Sequence, residues 1–328
     1  MKDVKAPKLS IIIPCYNVSE FLPECFKCLD NQTYQNLHVI FVNDGSKDNT
    51  LDVIKGYCAT HPNAEYVDGE NVGVGGARQK GLEKIQGEYF SFLDVDDYIS
   101  DNHFENLVKM IVENNADMGI CGFKRIKEKR AKKYTFKKTA IKRISEFFGE
   151  DALNQYLSQE KFDFVLWNKI FSTEHLRKSG ATFLDCRYGE EAYFLFNYFK
   201  RVNKVVYSPV QTYLYVQRKK SLMHSGFNPS RLDILKNLNL IKEDAEKNVK
   251  SASSYVSSMR AGYAVGLLFF IKKSDYKDKQ VISEIIQTLK QDAKQLKFCK
   301  KTALYKRLFI PLIPPIAKLL FRKTIKQA

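Results

Sequence analysis

The sequence predicts an α/β fold, a largely parallel sheet with helices on both faces, followed by a helical C-terminal region. Two observations carry this. Strand-like and helix-like segments alternate through the first hundred residues, the order that builds a parallel sheet. From about Asn228 onward helical patterns dominate. A soft boundary near residue 225 therefore separates a first region, 1–225, from a second, 226–328. With 328 residues, 44% of them apolar and 13% aromatic, the chain can bury a real core, which excludes disorder as a description of the whole.

The elements follow in order. Leu9 to Pro14 is a continuous apolar run, as expected of a strand buried on both faces. Asn17 or Ser19 then caps a helix whose apolar positions Phe21, Leu22, Cys25 and Leu29 recur at helical spacing. A second strand, Leu37 to Val42, runs into the turn formers Asn43, Asp44, Gly45 and Ser46, and Asp48 opens a helix lasting to about Cys58. A short strand, Ala64 to Val67, leads to a loop from Asn71 to Gly76 and a helix from Ala77 to Ile85. The strand Glu88 to Leu93 ends in Asp94-Val95-Asp96-Asp97. An amphipathic helix carrying Phe104, Leu107, Val108 and Ile111 precedes a strand from Met118 to Phe123, and the basic stretch after it reads as an exposed hairpin or loop. In open parallel sheets ligands bind beyond the carboxyl ends of the strands. Cys15 with Asn17, Asp44 with Ser46, and Asp94 with Asp96 thus face one crevice.

The paired aspartates are the strongest chemical signal. Two carboxylates at i and i+2 on a strand end can hold a divalent cation that bridges a diphosphate, and Mg2+ or Mn2+ suits such oxygen donors. The structural alternative is a solvated turn in which Asp97 or Asp101 caps the next helix. Asp44 likewise reads either as a nucleotide contact or as a turn residue, and Arg78 as a phosphate or sugar contact or as part of a solvated helix face. Gly73, Gly75 and Gly76 do not make a dinucleotide fingerprint: the third glycine and the following acid are not at the required spacing.

Four blocks together resemble the family 2 glycosyltransferases: Ser10 to Asn17, Val42 to Asp48, Asn71-Val72-Gly73 with Ala77-Arg78, and Gly87 to Asp97. The resemblance implies a GT-A fold, a Rossmann-like nucleotide-binding sheet, and inversion at the anomeric carbon. It implies that Pro14, Tyr16, Asn17 and Asp44 hold the nucleoside, with Asn71, Arg78 and Asp94 also on the donor side. Asp96 is then the direct metal ligand, assisted by Asp94. A uracil N3 donor suits a strand-end carboxylate, and the leaving diphosphate needs cationic compensation. A UDP-sugar is the expected donor.

Weaker motifs continue the likeness. Phe164 to Phe171 is similar to the W-x-K-[IL]-[FY] element of bacterial members, which places Trp167 near the acceptor sugar; the alternative for this sole tryptophan is the core. Gly189-Glu190-Glu191-Ala192-Tyr193-Phe194 is similar to G-E-D-x-x-F, whose last acid acts as general base. Here that position holds Glu191, whose carboxylate reaches about 1.5 Å further than an aspartate's. Glu190 and Asp185 are the other candidates, and a pair of acids favoured at a helix start is the plain reading. Arg218, Lys219 and His224 fall where related enzymes close a basic loop over the diphosphate, with His224 a possible metal ligand or a surface residue.

A formal charge of +16 asks for an acidic partner. One cluster runs from Lys124 to Lys138, relieved only by Glu128; the other is the tail from Lys297 to Ala328, which has no acidic residue. In the tail, apolar residues alternate with bases and prolines at Pro311, Pro314 and Pro315 break it into short helices. That pattern predicts helices lying on an anionic membrane surface, too short to span it, or docked on the protein. No nucleic-acid module is recognisable. The seven cysteines do not form a disulfide framework, Cys25 and Cys28 read as core, and Leu9 to Ile13 is too short for a signal segment. The expected location is cytoplasmic, peripheral at the inner face of the membrane.

The expected activity is transfer of a sugar to an acceptor hydroxyl on a glycan or lipid-linked acceptor in bacterial surface-polysaccharide synthesis. The alternatives are a sugar nucleotidyltransferase, against which Pro14-Cys15-Tyr16-Asn17 replaces the usual glycine-rich basic signature, and a catalytically impaired membrane-associated scaffold, suggested by Glu191.

Overall fold

A computed structural model of the protein describes residues 6–137, 140–141, 143–218, 227–296 and 316. They fall into two compact units, one drawn from Met1–Ala152, Val165–Asp185 and Asn197–Ser221, the other from Leu153–Phe164, Cys186–Phe196 and Leu222–Ala328.

The first unit is built on one mixed sheet. Strands β1 (Leu9–Cys15) and β2 (Leu37–Asp44) flank helix α1 (Leu22–Asp30) in sequence, and α2 (Thr50–Thr60), β3 (Ala64–Gly69), α3 (Gly73–Leu82) and β4 (Tyr89–Phe92) continue the alternation. These four strands pair in parallel in the order β3-β2-β1-β4. Every residue of β2 is buried, as is every residue of β1 except the half-buried Pro14, which is what a strand covered on both faces requires. Pro14 is tolerated because β4 pairs only as far as Ile12, so no neighbour on that side needs its missing N–H.

Beyond β4 the sheet becomes mixed. It adds β5 (Tyr98–Ile99), α4 (His103–Glu113), β6 (Met118–Lys127), α5 (Glu128–Ala131), β7 (Ser145–Phe148), α6 (Gly149–Ser158), β8 (Lys169–Ser172), α7 (Thr173–Ser179), α8 (Glu190–Phe199) and β9 (Lys204–Gln217). Helices α6 and α8 carry residues of both units. The strand order continues β4-β8-β6-β9-β5, with β7 also on β9. β8 is antiparallel to both its neighbours, whereas β6 and β9 are parallel.

Two local readings change. The glycine loop expected up to Gly76 is already helical from Gly73, and the basic stretch after Phe123 is a loop only in part: β6 runs on to Lys127 and turns into α5, while residues 132–137 carry no helix or strand. Cys25 lies in the apolar core with Leu22 and Leu29, and Cys28 packs against it.

The second unit contains α9 (Asp233–Asn248), α10 (Ser253–Lys272) and α11 (Lys279–Leu296), with α10 packed on both others. An unbroken buried run from Tyr255 to Ala261 marks α10 as the central helix. On α11, the fully buried Asp292 accepts from Lys242 Nζ at 2.9 Å and lies 3.4 Å from Arg260 Nε. Truncating one partner of a buried ion cluster leaves uncompensated charge. Asp292→Ala is therefore expected to cost about 3–5 kcal/mol in urea unfolding, and adding Lys242→Met with Arg260→Met should recover much of it.

No helix among the described residues is long and apolar enough to cross a membrane. The basic tail lies outside the described residues apart from Ile316, and Lys219 and His224 lie outside them altogether.

Candidate active site

The loops after β1 and β2 are laced together. Asn17, at φ 51°, donates its N–H to Ser46 Oγ (3.0 Å), and its Oδ1 accepts from Lys47 N–H (2.7 Å). Tyr16 beside it is 48% exposed. Asp44 is buried at the end of β2, where its two carboxylate oxygens accept from the N–H groups of Val72 (2.8 Å) and Gly73 (2.9 Å). It thus caps α3 from another loop, where negative charge is favoured. Asn71 returns a bond from Nδ2 to the Asp44 carbonyl at 2.9 Å. Gly45, at φ +68°, has the Asn71 backbone 2.7 Å from where a Cβ would stand, so this junction admits only glycine.

Beyond β4 each aspartate has its own partner. Asp94 meets Arg78 NH2, from the buried face of α3, at 3.3 Å. Asp96 accepts from Arg218 NH1 at 2.8 Å, and Arg218 Nε stands 3.6 Å from Glu128 at the start of α5. The Phe21 ring lies 4.7 Å beneath the same guanidinium. Asp97 does not cap α4, as the structural alternative would have it; it accepts from Tyr213 Oη (2.9 Å) and Val216 N–H (2.8 Å), which ties the segment to β9. Burial pushes the Asp96 carboxyl above its ordinary range, against the pull of Arg218, and pushes Asp97 well above it, with Asp96 and Asp94 adding to the rise.

This donor set fits a hard divalent cation. Asp94 and Asp96 keep 28% and 39% of their side chains exposed, so their oxygens are reachable. Burial, the main cause of the raised Asp96 carboxyl, disfavours uncompensated negative charge there. Among the described residues no three His, Cys, Asp or Glu side chains converge on a point, so two carboxylates would leave most positions of a six-coordinate ion to phosphate and water.

Trp167 is 3% exposed, stacked on Tyr213 (centroids 4.1 Å apart) and Tyr215 (5.7 Å), with Phe123 edge-on at 4.7 Å. That is the packing of a core residue. Through Tyr213 it braces Asp97, and so the aspartate loop.

The acids of the second motif open α8. Glu190 is buried and Glu191 half-buried, whereas Asp185 is exposed. Tyr156 anchors this turn by donating to the Ala192 carbonyl at 2.9 Å. Burial foremost, then Tyr263 and Glu191, raise its phenol; Tyr263 is raised by burial and then by Glu191 and Glu190. Gly189 takes φ +80° with the Ile234 Cα 3.2 Å from a Cβ position. Gly189→Ala is expected to cost about 1–3 kcal/mol in urea unfolding.

The family description "Glycosyl transferase family 2" matches residues 10–180, more than half of the chain. The chain belongs to glycosyl transferase family 2. Glycosyltransferase GlyA of Streptococcus pneumoniae is 31% identical over 227 residues, which cover 66% of this chain and 31% of GlyA, so the match spans under a third of that relative. The crystal structure of S. aureus TarS 1-349 in complex with UDP-GlcNAc aligns with a TM-score of 0.70 at 19% identity, over 98% of this chain and 91% of that one. Mannosyltransferase PcManGT from Pyrobaculum calidifontis, in complex with GDP-Man and Mn2+, aligns at 0.54 and 17% identity, over 98% and 89%. The fold is GT-A, and residues 10–180 form its glycosyl transferase family 2 region. For this family 2 chain, sequence reasoning missed the bond from Tyr213 to Asp97, the bond from Tyr156 to the Ala192 carbonyl, and Asn43, buried and donating to Asp68 at 2.7 Å. Only the run of acids from Asp94 to Asp97 signalled any of these.

Proposed function

We propose that the protein is an inverting, metal-dependent glycosyltransferase that moves a sugar from a UDP-sugar to an acceptor hydroxyl of a bacterial surface glycan or its lipid-linked precursor. The observation that carries this reading is the pair Asp94 and Asp96 beyond β4, both reachable and each set against a guanidinium. Pro14, Tyr16 and Asn17 take the nucleoside, with the exposed Tyr16 ring offering a face to the base. Asp44 holds the start of α3, and with Asn71 it positions the loop around the ribose. Asp96 and Asp94 hold Mg2+ or Mn2+, which when bound compensates the charge of the departing diphosphate. Arg78 and Arg218 add hydrogen-bonding cations to those phosphates. Glu191 accepts the proton of the acceptor hydroxyl, whose oxygen attacks the anomeric carbon from the side opposite the leaving diphosphate. One displacement of this kind inverts the configuration.

The donor reading is supported at the level of fold by the UDP-GlcNAc that TarS binds, and the metal reading by the Mn2+ of PcManGT. A cytoplasmic location with the basic tail on an anionic membrane surface completes the proposal. UDP release from a panel of UDP-sugars, with and without Mn2+, tests it. Metal-dependent release with one donor is expected. Tight UDP binding with no turnover on any donor would instead support an inactive scaffold.

A further inference from the structure

The basic stretch after Phe123, which the donor chemistry does not use, forms a cavity of about 720 Å³ at the paired ends of β6 and β9. Lys124, Arg125, Lys127, Lys129, Arg130 and Lys133 line it, and no acid does. The only acid of the stretch, Glu128, lies 3.6 Å from Arg218 Nε instead. The wall is a fixed one. Ala131 of α5 is buried with Leu214 and Val216 of β9, and Ile126, Tyr134 and Phe136 pack on them. Lys124 Nζ sits 4.6 Å over the Tyr134 ring. The residues lining this concavity are strongly basic, which favours an anion of several charges. The volume falls in the range of small-ligand sites, about 300–1,000 Å³. The position of the cavity matters too: Arg218 links Glu128, at the head of α5, to Asp96.

We propose that this cavity binds a pyrophosphate or a run of phosphodiesters carried by the acceptor, so that the acceptor is held by its phosphates next to the donor site. A single carboxylate would offset little of this charge, whereas adjacent phosphates offer several charges and the oxygen pairs that arginine grips bidentately. That the ligand is the acceptor rests on the transferase reading; the phosphate site itself does not.

The test compares the full chain with the triple variant Lys129→Ala, Arg130→Ala, Lys133→Ala. All three residues are exposed, so the fold should persist. Calorimetry with inorganic pyrophosphate in EDTA is expected to show binding that the variant weakens about tenfold or more, given the loss of three charge-assisted partners. UDP affinity in Mn2+ should stay within about twofold of the wild type, and sedimentation with phosphatidylglycerol vesicles should be unchanged. Equal pyrophosphate affinity in both proteins, displacement of pyrophosphate by UDP, or loss of vesicle binding with pyrophosphate affinity intact would overturn the proposal. Absence of UDP binding to the wild type would defeat the donor reading while leaving the pyrophosphate comparison intact.

Discussion

Asp96→Ala is expected to weaken UDP binding in Mn2+ by about 10- to 100-fold, the loss of roughly 1.5–3 kcal/mol carried by one charge-assisted contact. The sign of the effect separates two accounts of the site. Without a cation, Asp96 only neutralises Arg218, to which it is bonded at 2.8 Å. Its removal would then free the guanidinium and tighten the binding of an anionic nucleotide. With a cation bridging carboxylate and diphosphate, the same change removes a ligand and weakens binding. Titrating UDP with Mn2+ and then with EDTA reads this directly: the variant should lose affinity in Mn2+ and gain or hold it in EDTA. The fold should survive, because the covalent neighbour Asp97 keeps its bonds to Tyr213 and Val216.

Glu191→Gln is expected to lower kcat by about 10²- to 10⁴-fold, the usual worth of a positioned general base, with UDP affinity unchanged. Glutamine keeps the length and polarity of the side chain at the head of α8 and cannot accept the proton. Glu190→Gln serves as the comparison. Glu190 is the more buried of the pair, so its substitution should show in thermal unfolding more than in turnover. A larger loss of kcat in the Glu190 variant would transfer the role of base to that residue.

Much of the first unit was legible because its strands are apolar runs with few alternatives. Leu9 to Pro14 read as a strand buried on both faces and Leu37 to Val42 as a second strand, and both are strands, buried except at the half-buried Pro14. The aspartates were legible as a motif, while their individual partners were not. Val216 accepts no local pattern: its N–H reaches Asp97 across 119 residues, and no periodicity encodes such a pairing. The early start of α3 at Gly73 was missed for a related reason. Glycine lowers helix propensity, yet Asp44 from β2 supplies the cap, and Gly81 lies against the Ile12 side chain where a larger residue would clash. The continuation of β6 into the basic stretch was hidden by its charge. Lysines line its exposed edge, while Ile126 packs inward on Leu214 and Val216. Trp167 was ambiguous by composition, and only the stack with Tyr213 and Tyr215 assigns it to the core.

The most direct measurement is a crystal of the protein grown with UDP and Mn2+, with the anomalous signal of manganese recorded. The account predicts one manganese peak in contact with Asp96, Asp94 beside it, and the diphosphate of UDP completing the coordination. A manganese peak away from both aspartates, or UDP bound with neither carboxylate near its phosphates, would contradict it.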